Sequence, residues 1–284
     1  MVASRLGLNE SDSKVLTVSG TNGKGSSVAF AEAILTKLGV TVGAYTSPHL
    51  LSFNERIRID GVPVSDAIIF DALTQIENVL QEVPLTYFEL ATLSALQIFS
   101  SQAVDVLLLE VGLGGRLDAV NILDSDVALI TSIDLDHQAW LGNNRDDIAV
   151  EKAGILRPHR PAVIADRAPP KSIQRSEPDA EFFYIGRDWD IKVGGESFDQ
   201  IELTVCNLDR ATKVYHFPRV GGVLPVNIGA SVQAMSLLGF NVTERQLKEI
   251  AVKFLIPGRL QSFLWDGREV LLDVAHNPAA VVSL

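Results

Sequence analysis

The residues best placed to do chemistry early in the chain lie in GTNGKGSS, Gly20 to Ser27, which follows the apolar run VLTVS. Consecutive backbone N–H groups in a glycine-rich turn, followed by a helix N-terminus, converge on one point and suit a polyphosphate. Lys24 adds a mobile positive charge for the β- and γ-phosphates, and Ser26 or Ser27 can place a hydroxyl on Mg²⁺. The spacing departs from G-x-x-x-x-G-K-[ST] because Gly25 stands between Lys24 and Ser26, so the stretch reads as a variant phosphate loop. A turn serving only tight packing of strand on helix is the alternative, but packing has no use for Lys and Ser at those places.

Further candidates follow other apolar runs. Glu110 comes directly after DVLLL, where a nucleotide-binding enzyme would carry a magnesium-binding carboxylate, and Ser47 and His137 could approach the same ion. Ser and His are weaker magnesium ligands than a carboxylate, and His137 taken alone reads equally as a hydrogen-bonded loop histidine. The glycines of VGLGG are a weak signal by themselves. A Rossmann dinucleotide site is disfavoured, since the order of the glycines and their surroundings are wrong for it.

The elements that must position these groups alternate between strand and helix. KVLTVS, VTVGAYTS, VDVLLLE and DVALITS read as strands. Helices are expected from Ser26 to Lys37, ended by Gly39, over VSDAIIFDALTQIENVL with Ser65 or Asp66 as N-cap, over YFELATLSALQIFSSQ, and over RDDIAVEKAGIL. The fold class is therefore α/β, with a mostly parallel phosphate-loop sheet flanked by helices. Each of the four strands ends in candidate chemistry: GTNGKGS, TSPHL, EVGLGG and TSIDLDH. Ligands of parallel sheets collect at the carboxyl ends of strands, which makes this coincidence informative. From Glu181 to Pro218 short β-like pieces suggest a local antiparallel excursion, after which NIGASVQAMSLLG and TERQLKEIAVKFL return to helix. Pro257-Gly258 punctuates the chain, and EVLLDVAHNP begins a new strand and loop.

Composition narrows the partners. A chain of 284 residues with 47% hydrophobic residues can bury a core in one large or two smaller domains. Its formal charge of −11 repels phosphate backbones, so nucleic acid is not an expected partner and the ligands should be small. No apolar run approaches the ~20 residues that span a bilayer, and no leader pattern opens the sequence, so neither membrane nor export is expected. The single Cys206 cannot form an internal disulfide, which fits a reducing compartment, and the chain is expected in the cytoplasm.

Taken together and in order, SGTNGKGSS, TSPHL, FNERIRIDG, LTYFELATLSAL, LEVGLGGRLDAVN, SIDLDHQAWLG, EKAGI, PGRLQ and DVAHNP resemble the folylpolyglutamate synthase and dihydrofolate synthase branch of the Mur ligase superfamily, from about Val15 onward. The resemblance implies an ATP-dependent amide ligase that phosphorylates a carboxylate and joins the acyl phosphate to the amine of L-glutamate, with dihydropteroate or a reduced folate as acceptor, LTYFE and GRLDA pointing toward bifunctionality. It implies that Asn22, Gly23, Lys24, Gly25 and Ser26 contact the ATP phosphates, and that Asn227, Arg259 and Asp273 hold the nucleotide. Ser47, Glu110 and His137 match magnesium ligands. Lys152 matches a lysine carried as a carbamate beside a second magnesium ion, whereas spacing alone reads it as a solvated helix lysine. Catalysis would then rest on Lys24, Glu110, His137 and Lys152. Thr86, Tyr87, Phe88 and Glu89, with Leu117, Asp118 and Ala119, match segments lining the acceptor site. A monomer is expected.

Two departures are visible. Ala139 stands in DHQAWLG where an acid is usual, and the segment before Val15 is short for the family. The expected division is an ATP-binding domain over 1–257, the family's central domain, and a hinge with the truncated start of a second α/β ligase domain over 258–284. Fewer than ~40 residues seldom fold alone, so the residues after Gly258 are expected either to be disordered or to pack as a stray strand on the first domain. The alternatives are a muramoyl-peptide ligase, disfavoured because no extra N-terminal nucleotide domain is seen, and an ATP-binding remnant without ligase activity.

Overall fold

The computed structural model describes residues 1–195 and 199–282, so the last two residues of the expected second segment lie outside it. A short helix α1 (Val2–Leu6) precedes β1 (Lys14–Ser19), α2 (Lys24–Leu38) and β2 (Val42–Tyr45). One turn of 3-10 helix, Phe53–Arg56, leads into β3 (Ile57–Ile59) and β4 (Val62–Pro63). The helices α3 (Asp66–Leu80) and α4 (Tyr87–Ser101) come before β5 (Val106–Glu110), and β6 (Val127–Ile130) follows. Then come α5 (Gln138–Leu141), α6 (Arg145–Ala153), β7 (Pro161–Ile164), α7 (Ser172–Ser176) and β8 (Glu181–Tyr184). The remainder comprises β9 (Asp190–Gly194), β10 (Gln200–Cys206), β11 (Thr212–Pro218), α8 (Pro225–Leu237), α9 (Glu244–Lys253), β12 (Gln261–Trp265), β13 (Arg268–Leu272) and α10 (Pro278–Val282).

Eight strands form the main sheet in the order β4-β3-β2-β5-β1-β6-β7-β8. The pairs from β2 through β8 are all parallel, while β3 and β4 add an antiparallel edge. Because side chains alternate along a strand, β5 sends Val106 and Leu108 into one apolar cluster and Leu107 and Leu109 into another on the opposite face. The first cluster is covered by α2, α8 and the antiparallel sheet, and the second by α3, α4 and α6. Burial on both faces is why these strands read as unbroken apolar runs.

Three details differ from the sequence-based expectation. Glu181–Tyr184 does not join the antiparallel excursion but pairs in parallel with β7, whereas β9, β10 and β11 do form a separate antiparallel sheet. The second strand is confined to Val42–Tyr45, its last ladder pairs being Tyr45 with Ile57 and with Leu109. The residues after Gly258 add no strand to the main sheet; β12 and β13 pair only with each other, and Val274 N donates to Gly258 O at 3.0 Å to close the base of that hairpin.

Candidate functional site

Strand register gathers the site. Val18 pairs with Glu110 on one side and Leu129 on the other, and Tyr45 pairs with Leu109, so the loops after β1, β2, β5 and β6 open at one edge of the sheet. The phosphate loop is pinned there by the loop after β6. Thr21 N donates to Ser132 O at 2.7 Å, Asn22 N to Ser132 Oγ at 3.1 Å, and Thr131 Oγ1 to Asn22 O at 2.7 Å. Gly23 has φ of 89°, and a Cβ there would fall 2.5 Å from Asn227 Oδ1, so conformation and space both demand glycine. Asn227 thus reaches the loop from α8, and the first-turn amides of α2, including Gly25 and Ser26, form a helix N-terminus suited to phosphate. Lys24 folds back, its Nζ donating to Gly20 O at 3.0 Å and Thr21 O at 3.4 Å.

Glu110 is only 4% exposed, and among the described residues its carboxylate accepts one hydrogen bond, from Ser47 N at 3.1 Å. Burial pushes its pKa up, opposed by Lys24, the Ser47 amide, Arg58 and Arg259. A buried carboxylate with open lone pairs favours a cation. The donors Glu110, Ser47 and Ser26 are hard oxygens, which suits Mg²⁺ or Mn²⁺. Among the described residues no three His, Cys, Asp or Glu side chains converge as a metal cage. Water and phosphate oxygens commonly complete a magnesium shell, so this donor set fits such an ion. His137 has φ of 48° and a side chain 55% exposed, with Nε2 3.9 Å from Asp136 Oδ1.

Lys152, on α6, is 4% exposed and donates from Nζ to Gly20 O at 2.8 Å. The solvated-lysine reading is therefore corrected: α6 turns this face onto the phosphate loop. Burial first, then the positive charge of Lys24, lowers its pKa to about 7, with Asp136 opposing. Arg259 lines the same cavity of about 1360 Å³ as Gly25, Ser26, Ser47 and Glu110. Asp273 faces inward to the hairpin base, accepting from Leu260 N at 2.9 Å and Ala275 N at 2.7 Å.

Phe88 of the first expected acceptor segment packs against Gly112, five residues before the second. A Cβ on Gly112 would fall 2.5 Å from the Phe88 ring, whose centroid lies 6.0 Å from that of Tyr45. Thr86 and Glu89 form a capping box at the start of α4, with Glu89 N donating to Thr86 Oγ1 at 3.2 Å and Thr86 N to Glu89 Oε2 at 2.7 Å. Asp118 accepts from Leu113 N at 2.8 Å and Val120 N at 3.0 Å, and burial pushes its carboxyl up. Leu117 and Tyr87 stand exposed beside Ala119 and Phe88.

Tyr45, Arg56 and Asn277 were not among the candidates. Asn277 Nδ2 donates to Asn22 Oδ1 at 3.0 Å and to Asp136 Oδ2 at 3.0 Å, joining the segment after β13 to the phosphate loop. Its place in DVAHNP was the available signal, as FNERIRIDG was for Arg56; nothing local in sequence marks Tyr45.

No protein-family model matches the chain. Over 288 residues it is 38% identical to the dihydrofolate synthase/folylpolyglutamate synthase of Escherichia coli K12, covering 100% of this chain and 66% of that protein. It is 36% identical over 300 residues to the Haemophilus influenzae protein of the same name, covering 100% of this chain and 67% of that one. The chain thus spans just under two thirds of the first relative's length. Among solved structures, E. coli FolC in complex with DHPP and ADP superposes with a TM-score of 0.89 at 37% identity, over 98% of this chain and 66% of that one. A bifunctional folylpolyglutamate synthase/dihydrofolate synthase with Mn, AMPPNP and L-glutamate bound gives 0.88 at 38% identity, over 99% of this chain and 68% of that one.

Proposed function

We propose that this chain, which belongs to the dihydrofolate synthase/folylpolyglutamate synthase family, carries the nucleotide site of an ATP-dependent ligase joining L-glutamate to dihydropteroate, to a reduced folate, or to both. The observation that carries this reading is the convergence at one sheet edge of the phosphate loop, Glu110 held by Ser47 N at 3.1 Å, and Lys152 held on Gly20 O at 2.8 Å. The Mn and AMPPNP in a similar structure, and the DHPP and ADP in another, support it.

In this reading the loop amides and Lys24 hold the β- and γ-phosphates, with Asn227, Arg259 and Asp273 enclosing the nucleotide. Ser47, Glu110, His137 and Lys152 would hold divalent cations, two in number. A cation bound there supplies neutralisation of phosphate charge. The acceptor carboxylate attacks the γ-phosphorus, ADP leaves, and the glutamate amine then displaces phosphate from the acyl phosphate. The chain's contribution is positioning, charge complementarity and exclusion of water rather than a covalent nucleophile. Thr86 to Glu89 and Leu117 to Ala119 would line the acceptor, with Phe88 providing an aromatic wall.

A carbamate on Lys152 fits the same site. The neutral amine adds CO₂ and releases a proton, giving an anion where an ammonium would repel a metal ion. Residues 1–257 would form the ATP-binding unit, and 258–284 the hinge and entry to a further region.

The test is ADP formation with L-glutamate and each acceptor in turn. Stimulation by dihydropteroate or tetrahydrofolate is expected. Stimulation only by a UDP-linked muramoyl substrate, or by none, would overturn the folate reading.

A further inference from the structure

Arg56 is 8% exposed, yet among the described residues its guanidinium forms no ion pair. Its Nε donates to His49 Nδ1 at 2.8 Å, which places the His49 ring proton on Nε2. The guanidinium carbon lies 5.9 Å from the Phe53 ring centroid and 5.6 Å from that of Tyr87, and those two rings meet edge to face with centroids 6.1 Å apart. The Tyr45 hydroxyl is also beside it, but a phenol is a neutral group and supplies no counter-charge.

The contrast with Arg58, two residues on, is direct. Arg58 is also largely buried and donates from Nη2 to Glu32 Oε2 at 2.8 Å. The carboxylates on the elements around Arg56 are engaged elsewhere. Glu55 accepts from the backbone amides of Leu50, Leu51 and Ser52, Glu89 from Thr86, and Asp118 from Leu113 and Val120. A guanidinium removed from water without an anion is costly, and stacking on aromatic faces offsets only part of that cost. Its fork suits a carboxylate, and the flanking rings suit a flat aromatic body.

We propose that Arg56, framed by Phe53, Tyr87 and His49, is a specificity-determining residue that receives a carboxylate of an aromatic acceptor acid. This rests on the acceptor reading above, because Tyr87 belongs to the segment assigned there to acceptor binding. Two carboxylates share the required chemistry: the aryl carboxylate of a pteroate and the α-carboxylate of a folylglutamate.

Calorimetric titration of the chain with pteroic acid, the carboxamide of pteroic acid, and folic acid separates these possibilities. The wild-type chain should bind the acid, or folic acid, about tenfold or more tightly than the carboxamide. Arg56→Gln should erase that preference, and Arg56→Lys, which keeps charge but not the fork and guards against a folding failure, should retain part of it. Loss against pteroic acid assigns the aryl carboxylate, and loss against folic acid alone assigns the α-carboxylate. A purely structural role would lower the melting temperature and leave the ratio of acid to carboxamide affinity intact. That result, or equal wild-type affinity for all three probes, overturns the assignment while the acceptor reading stands. No binding of any of the three probes by the wild-type chain overturns both.

Discussion

Lys152 Nζ donates to the carbonyl oxygen of Gly20 at 2.8 Å, tying the third turn of α6 to the first residue of the phosphate loop. Lys24 Nζ donates to the same oxygen at 3.0 Å, so two amines share one acceptor in a place where only one is accessible to solvent. Both cannot be comfortably charged there, and the buried one gives way: the pKa of Lys152 falls to about 7. A neutral amine at physiological pH is what carbamate formation requires.

This has a consequence for stability in CO₂-free buffer without nucleotide. The unfolded chain keeps Lys152 protonated up to its ordinary pKa near 10.5, whereas the folded chain releases the proton from about pH 7. Between those values the unfolded state binds more protons, so stability rises with pH across that window, and below pH 7 the full penalty, on the order of several kcal/mol, is present. The melting temperature of wild type minus that of Lys152→Met should therefore increase from pH 7 to pH 9. A difference that is flat with pH would remove the assignment of Lys152 as a buried, discharged amine.

Glu110→Gln should separate folding from function. The carboxylate is destabilised by burial, and its raised pKa means that the penalty is present above that pKa and relieved by the amide. The variant should melt at or above the wild-type temperature. Its affinity for ATP in the presence of Mg²⁺ should drop by about tenfold or more, the dependence on Mg²⁺ being lost. Titration of ATP with and without Mg²⁺ decides it; an unchanged Mg²⁺ effect would place the ion elsewhere.

Much of the fold was legible because apolar runs bounded by Gly and charged residues are what doubly buried strands look like. The phosphate loop, Glu110 and Ser47 could be placed together because ligands gather where parallel strands end. What was hidden depends on contacts distant in sequence. Burial of Lys152 comes from α6 packing across to Gly20, 132 residues away. The assignment of Glu181–Tyr184 to the parallel sheet depends on β7, a four-residue strand too short to announce itself between Pro161 and the next turn. Arg56 ends the FNER stretch after two polar residues and looks like a surface residue until its neighbours are known.

Thr86 and Glu89 sit in a segment assigned to acceptor binding, yet their side chains cap α4. Thr86→Ala should cost about 1 kcal/mol of stability, or roughly 2 to 4 °C in a domain of this size. The Thr86 amide and hydroxyl hold the Glu89 carboxyl below the usual carboxylate range, so its contribution is present at neutral pH and is lost as pH falls through that lowered pKa. Acceptor affinity should change less than stability. A variant that melts like wild type but binds pteroic acid tenfold more weakly would show that Thr86 acts on the ligand directly.

Asn22 and Asn277 exchange two hydrogen bonds, Asn22 Nδ2 to Asn277 Oδ1 at 3.1 Å and Asn277 Nδ2 to Asn22 Oδ1 at 3.0 Å. Asn277 also reaches Asp136 Oδ2, next to His137, so one side chain joins the phosphate loop, the loop after β6 and the segment following β13. The hairpin β12–β13 has mostly exposed side chains, so few apolar contacts hold it and these polar ones carry more of its attachment. Asn277→Ala should leave the melting temperature of the main sheet within about 1 kcal/mol equivalent, the size of a hydrogen bond, while amide exchange in residues 258–282 accelerates by tenfold or more. ATP should reverse part of that acceleration if Arg259 and Asp273 contact the nucleotide, because ligand contacts would replace the lost amide pair. Exchange unchanged in both states would show that the segment is held by its own hairpin alone, and that the phosphate loop and this segment are not coupled through Asn277.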